Sequence, residues 1–293
     1  MVPYRHANHS VGIMTANGST QSTSGYASIM VVTDLEPDTE RRTKLATALA
    51  DRFSSRLIGV AARPLVPPLY YETPVPGLET AVELEERLAT RDIATAEAAF
   101  RKIVGTRNRV EWRQAHAFPT QFALQQARAA DLIVASMARS RREDAAWMVP
   151  DAGDLVMGAG RPVLLTPPEV DYVRAKHIVV AWKDTREARR AVADAMPFLK
   201  AADDVTVAAF NDDERGVADV SAYLACHGVT ASVVRRDVSA DDVAKELTGL
   251  AEAEAADLLV CGAYGHSRAS EWIFGGVTRD LLEHGRLCCL MAH

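Results

Sequence analysis

The sequence predicts an α/β protein built as two tandem open-sheet domains, each a five-stranded parallel sheet flanked by helices. Short runs rich in Val, Ile and Leu alternate with longer stretches of helical periodicity, as expected of parallel strands covered on both faces. The series of strand and helix is written twice. The letters themselves also repeat. Ala129-Ala130-Asp131-Leu132-Ile133-Val134 recurs as Ala255-Ala256-Asp257-Leu258-Leu259-Val260, an offset of 126 (129 to 255), and Asp154-Leu155-Val156 recurs as Asp280-Leu281-Leu282 at the same offset. The first strands, Ile29 to Val32 and Ile178 to Ala181, are offset by 149 (29 to 178), so the first copy carries 23 more residues.

The elements follow in order. Met1 to Gly25 is rich in Ser, Thr, Asn and Gly, and residues 1–26 read as a flexible tail. Ser28 to Thr33 is a buried strand. Leu45, Leu49 and Phe53, spaced by four, mark a helix over 39–53. Arg56 to Ala61 is a second strand. The Pro-rich insertion 64–78 reads as a loop because proline removes backbone donors, and a long helix over 79–104 follows it. A strand at 110–114, a helix opened by Pro119, the strand Leu132 to Ala135, a helix near 145–157 and Pro162 to Leu165 complete the first domain, 27–168.

Residues 169–175 read as a linker, and 176–293 as the second domain. Its strands are expected at 177–181, 205–209, 230–234, 258–260 and 287–291. Its helices are expected along the face Ala188, Val192, Ala195 and Leu199, then over 213–227, along Val243, Leu247, Leu250 and Ala251, and over 270–283.

Composition excludes several function classes. Of 293 residues, 48% are hydrophobic, 25% charged and 6% aromatic. Such a balance suits a core-forming chain and not a disordered one. The formal net charge of −6 provides no global footprint for nucleic acid or an anionic membrane. No apolar run approaches the roughly 20 residues of a membrane span, and the N-terminus has no signal-like apolar segment. The four cysteines, Cys226, Cys261, Cys288 and Cys289, include no CxxC pair, and a reduced cytoplasmic setting is the expectation. Adjacent residues on a strand face opposite ways, so Cys288 and Cys289 read as core residues.

The chemistry-bearing pattern lies in the second domain. The strand ending at Cys261 runs into Gly262-Ala263-Tyr264-Gly265-His266-Ser267-Arg268, and nine residues later come Gly275-Gly276-Val277-Thr278. A glycine loop at the carboxyl end of a parallel strand sits where open α/β sheets bind ligands. Glycines let backbone N–H groups approach an anion, and Ser267, Thr278 and Arg268 offer side-chain donors. The plainer alternative is that these glycines only shape a turn.

Gly262-x2-Gly265-x9-Gly275 followed by Val277-Thr278, with Ala181-Trp182-Lys183-Asp184-Thr185-Arg186-Glu187-Ala188 at the first strand and Leu290-Met291-Ala292-His293 at the last, resembles the universal stress protein family. The resemblance covers about 27–293 and implies a tandem two-domain member with strand order 3-2-1-4-5 in each domain. It implies a stress-response protein that binds an adenine nucleotide, ATP, as a regulatory ligand through the second domain, with Mg2+ only if ATP is bound. The residues implied are Gly262, Gly265, Gly275 and Gly276, with Val277 supplying backbone and Thr278 a hydroxyl. His266, Ser267, Arg268 and Lys183 join the candidate set from their positions beside these. No catalytic residue and no metal site is expected, and slow hydrolysis is the most that ATP would undergo. The implied partners are the nucleotide, a homodimer, and an internal pseudo-dimer of the two halves through their last strands, with no nucleic acid and no membrane.

This sequence departs from the family pattern in places. Gly276 stands where Ser or Thr is usual, and Lys183 stands at the usual acidic position after the first strand. Lys183 can pair with a phosphate or be a solvated loop residue. In the first domain Ser136 and Arg139 replace Gly262 and Gly265, while Val149 and Pro150 replace Gly275 and Gly276. Only Asp34 keeps the acidic position. That domain is therefore expected not to bind ATP in the usual way, and Arg139, Arg141 and Arg142 read as an exposed charged loop. A non-enzymatic scaffold, or a binder of a small apolar ligand or partner with decayed nucleotide sites, is the alternative function.

Overall fold

The computed structural model describes residues 25–65, 78–137, 146–212, 214–239, 242–263 and 286–293. The tail, most of the Pro-rich insertion, the Arg139–Arg142 segment and the helix expected over 270–283 lie outside the described residues. Among the described residues the chain runs β1 (Ser28–Val32), α1 (Thr39–Phe53), β2 (Arg56–Ala62), α2 (Leu78–Val104), β3 (Val110–Ala115), α3 (Pro119–Gln126), β4 (Leu132–Ser136), α4 (Ala152–Gly158) and β5 (Val163–Thr166). It continues through β6 (His177–Trp182), α5 (Arg186–Asp194), α6 (Met196–Leu199), β7 (Asp204–Phe210), α7 (Glu214–Cys226), β8 (Ser232–Arg236), α8 (Val243–Ala253), β9 (Leu258–Gly262) and β10 (Cys289–Ala292).

These strands form one open, mostly parallel sheet in the order β3-β2-β1-β4-β5-β10-β9-β6-β7-β8. Each half has the expected order 3-2-1-4-5, but the halves do not make two sheets. β5 and β10 pair antiparallel, Leu164 opposite Leu290, and join them. The ladder repeats the spacing seen in the letters. Ile29 pairs with Leu132 and Ile178 with Leu258, and Ile133 pairs with Val163 where Leu259 pairs with Cys289.

Alternate residues of each strand feed opposite layers, because side chains alternate across a sheet. Ile29 and Val31 pack with Leu45 and Leu49 of α1, while Met30 and Val32 pack with Phe122 and Ala123 of α3. Each layer contains buried residues of both halves, so the two cores are continuous from one half to the other. Tyr26, just before β1, strengthens the junction. Its hydroxyl donates to the Asp194 carbonyl at 2.7 Å, and its ring packs against Phe53 and Phe198. Residues 169–175 are no loose tether, since Val173 and Ala175 are buried in the same layer.

Three expected elements differ in detail. The helix near 145–157 is a 3-10 turn, Ala146–Met148, followed by α4. Pro150 lacks an N–H donor, and Asp151 starts a new helix by accepting from the Asp154 N–H at 2.9 Å. The face running from Ala188 to Leu199 is split into α5 and α6 before Pro197, which cannot continue a hydrogen-bonded helix. The strand expected at 230–234 lies at Ser232–Arg236, where all five residues pair in register with β7. Among the described residues no helix is long and apolar enough to cross a membrane.

Cys288 and Cys289 fall in opposite layers, as alternation requires. Burial pushes the Cys288 thiol up to about 12, with Asp257 adding to the effect. The neighbouring Cys261, together with burial, holds Cys289 well above the usual range. Cys226 alone is exposed among the four. The thiolate is the reactive form, so one thiol per native chain is expected to react rapidly with a chromogenic disulfide reagent, and all four after denaturation. Loss of the fast phase in Cys226→Ser checks the assignment, and two or more fast thiols in the native chain would contradict it.

Candidate functional site

In a doubly wound sheet the ligand crevice opens at the carboxyl ends of the strands where the winding reverses. Here the strand order reverses twice, between β1 and β4 and between β6 and β9.

The first crevice is filled by its own side chains. α1 carries Arg42 on its inward face, three residues before Leu45, and the residue is 1% exposed. Its Nε donates to the Val32 carbonyl at 2.9 Å, Nη1 to Asp38 Oδ2 at 2.7 Å, and Nη2 to Asp34 Oδ2 at 2.6 Å and to Thr39 Oγ1 at 2.8 Å. Thr39 also donates to Asp34 Oδ1, as does the Glu36 N–H at 2.9 Å. From β4, Ser136 Oγ donates to Asp38 Oδ2 at 2.8 Å. A buried arginine is tolerated because its fan of donors is matched by acceptors in place. Burial pushes the Asp34 carboxyl above its ordinary value, while Arg42, Thr39 and the Glu36 N–H pull it back down. Asp34, which keeps the family's acidic position after the first strand, is thus engaged by the protein itself.

Sequence reasoning missed this cluster. A signal was available, since Arg42 is a charged residue on the apolar stripe of a helix, four residues after Asp38 and eight after Asp34.

The second crevice has no such filling among the described residues. At the 149 offset Ala191 replaces Arg42, and at the 126 offset Gly262 replaces Ser136. Thr185 caps α5, its side chain accepting from the Ala188 N–H at 3.3 Å. Asp212 after β7 accepts from the Asp184 N–H at 2.9 Å, which ties down the loop after β6. Lys183 lies in that loop and is exposed. Trp182, at the end of β6, is buried, and its indole N–H has no partner among the described residues. His293 bonds through Nδ1 to the Ala263 carbonyl at 3.1 Å, which places it beside the exit of β9.

Gly262 ends β9, and its lack of a side chain has an immediate cause. A Cβ there would lie 2.4 Å from the Ala188 nitrogen and 2.6 Å from the Glu187 carbonyl carbon. The space is taken by the first turn of α5, so this glycine brings helix and strand together. Of the candidate residues, Gly262 and Lys183 are thus placed at the mouth of one crevice. Gly265, His266, Ser267, Arg268, Gly275, Gly276, Val277 and Thr278 lie outside the described residues.

The segment that contains the crevice exit and the glycine pattern is the one that matches a known family. Residues 211–293 match the universal stress protein family. The matched residues include α7, β8, α8, β9 and β10. The fold of the whole chain is similar to that of a universal stress protein from Archaeoglobus fulgidus, with a TM-score of 0.62 at 12% identity over 91% of this chain and 96% of that one. It is also similar to a functionally unknown protein from Pseudomonas aeruginosa, with a TM-score of 0.50 at 18% identity over 93% of this chain and 94% of that one. At such identities the likeness is one of fold. No curated protein matches the sequence.

Proposed function

We infer that the protein binds an adenine nucleotide, ATP, at the carboxyl ends of β6 and β9, as a regulatory ligand in a stress response. The observation that carries this reading is the difference between the two crevices. One is closed by Arg42, Asp34, Asp38 and Ser136, whereas the other has Ala191 and Gly262 at the matching positions and leads into the glycine pattern of a universal stress protein domain. Backbone N–H groups of Gly265, Gly275, Gly276 and Val277 would hold phosphates, with Ser267, Thr278, His266 and Arg268 contributing side chains. Lys183 would supply a point charge to a phosphate, and Mg2+ would accompany ATP. Gly262 serves by letting α5 approach, not by leaving room for the ligand.

Calorimetry of the full chain with MgATP tests this. The unmutated protein is expected to bind, and Gly265→Arg, which copies Arg139 of the first half, is expected to weaken binding at least tenfold, about 1.4 kcal/mol. Absence of binding by the unmutated protein would overturn the reading. A non-enzymatic scaffold that takes an apolar ligand or partner is the second reading. It is favoured by two aromatic side chains near the carboxyl edge of the first half, Phe118 at 59% exposure and Trp147 at 45%.

A further inference from the structure

Three sulfur atoms of the second half come together in its core. Cys261 and Cys289 lie on the neighbouring parallel strands β9 and β10, and their Sγ atoms stand 3.4 Å apart. Both thiols are free, at 6% and 1% exposure. Met291 pairs in register with Cys261 and lies two residues beyond Cys289. All three side chains therefore project from the same face of the sheet and enter the same buried layer. The first half shows that packing does not call for sulfur at these places. At the 126 offset they are held by Ala135, Val163 and Leu165. Those residues make the same ladder, with Ala135 opposite Leu165, and fill the same layer. Three hydrocarbon side chains of one half thus stand where the other half has three sulfur donors.

We propose that Cys261, Cys289 and Met291 form a site for a soft monovalent metal ion, Cu(I), held between β9 and β10. Thiolate and thioether sulfur select Cu(I) over harder ions. Among the described residues no group of three or more His, Cys, Asp and Glu side chains could hold a metal ion, so the tetrahedral ligand set of Zn2+ is missing there. With metal–sulfur bonds of about 2.3 Å, the length of a zinc–thiolate bond, three sulfurs around a trigonal ion stand about 4 Å apart. The two Sγ atoms need part by only about half an ångström to admit the ion, whereas a disulfide would require them to close to about 2.0 Å. The thiols release their protons to solvent as the ion enters, and no electron is transferred. Cys261 immediately precedes Gly262 at the mouth of the second crevice, which supplies the way in. No ligand spacing marks the site in the sequence, because Cys261 and Cys289 are 28 residues apart. The ion ties β10, which also pairs with β5 of the first half, to the strand that leads into the glycine pattern.

Anaerobic titration of the full chain with Cu(I), against a colorimetric Cu(I) chelator, tests the site. Cys226→Ser is the reference chain, because it removes the exposed thiol and leaves the three sulfurs in place. It is expected to take up one Cu(I) per chain, with X-ray absorption showing sulfur ligands alone, three of them at about 2.3 Å. Cys261→Ala and Cys289→Val, each made in the reference chain, install the residues of the first half. Each is expected to weaken binding by about 100-fold or more, beyond the roughly 10–100-fold that loss of a supporting outer partner costs. Met291→Leu is expected to weaken it by about tenfold and to leave two sulfur ligands. Cys288→Ala, in the opposite layer, is expected to bind as the reference does. Unchanged circular dichroism confirms the fold of each variant, and the ligand count in the reference chain decides the matter independently of any variant. No uptake by the reference chain, oxygen or nitrogen among the ligands, undiminished binding by Cys261→Ala, Cys289→Val or Met291→Leu, or a dependence on Cys288 would each overturn the assignment.

Discussion

Arg42→Met is expected to destabilise the protein by about 3–5 kcal/mol, the range seen when one member of a buried ion pair is removed. The reason lies in what the substitution leaves behind. Asp34 and Asp38 are 3% and 8% exposed, and both lose their guanidinium partner while remaining away from water. The Val32 carbonyl and the Thr39 hydroxyl lose a donor at the same time. Methionine replaces much of the arginine stem, so the effect is one of charge and hydrogen bonding more than of volume. Urea unfolding of the full chain measures it as a fall in the midpoint with little change in slope. Asp34→Asn in the same background should recover part of the loss, because it neutralises one stranded carboxylate, and the two substitutions should couple by about 0.5–3 kcal/mol. A loss below about 1 kcal/mol, the scale of a solvated ion pair, would show that the cluster is more hydrated than its geometry indicates.

Gly262→Ala is expected to have the second largest effect, toward the upper end of the roughly 1–3 kcal/mol typical of overpacking. The added methyl would meet backbone atoms of Glu187 and Ala188 at 2.6 Å and 2.4 Å, and backbone has no rotamer by which to withdraw. α5 would have to move off the end of β9, disturbing the Thr185 cap and the loop of Lys183 and Asp184 that lines the second crevice. The same variant is therefore expected to weaken nucleotide binding, even though Gly262 makes room for a helix and not for a phosphate. Thermal unfolding and calorimetry on one sample separate the two effects. An unchanged unfolding midpoint would show that the helix can be displaced at little cost. The first half meets the same steric problem differently. Ser136 carries a Cβ at the matching position, and there its hydroxyl bonds to Asp38 as part of the filled crevice.

How much of this was legible in the letters depended on the range of the interaction. Strands and helices declared themselves through local period, and the 126-residue repeat survives because matching strands need matching apolar letters. Pro150 and Pro197 also marked real interruptions, but the apolar stripe ran past both and hid them. Arg42 was harder to recognise. A charged residue on a helix is normally solvated, and only the return of β1 and β4 to the same place reveals that Asp34, Asp38 and Ser136 surround it. Gly262 was visible as a glycine, but its purpose was not. The phosphate-loop pattern and the approach of α5 call for the same residue, and only the positions of Glu187 and Ala188 distinguish them.

By itself, then, the sequence determined the α/β class and the doubled series of elements, because these follow from periodic burial, while the strand order was legible only through the resemblance to a known family. It also pointed to the second half as the place of the glycine pattern. The tertiary structure alone decided that the last strands, β5 and β10, pair as an antiparallel ladder that makes one sheet of two, and that the first crevice is closed from within. Each of these depends on which distant groups share a volume from which water is excluded, and residues close in sequence carry no record of that.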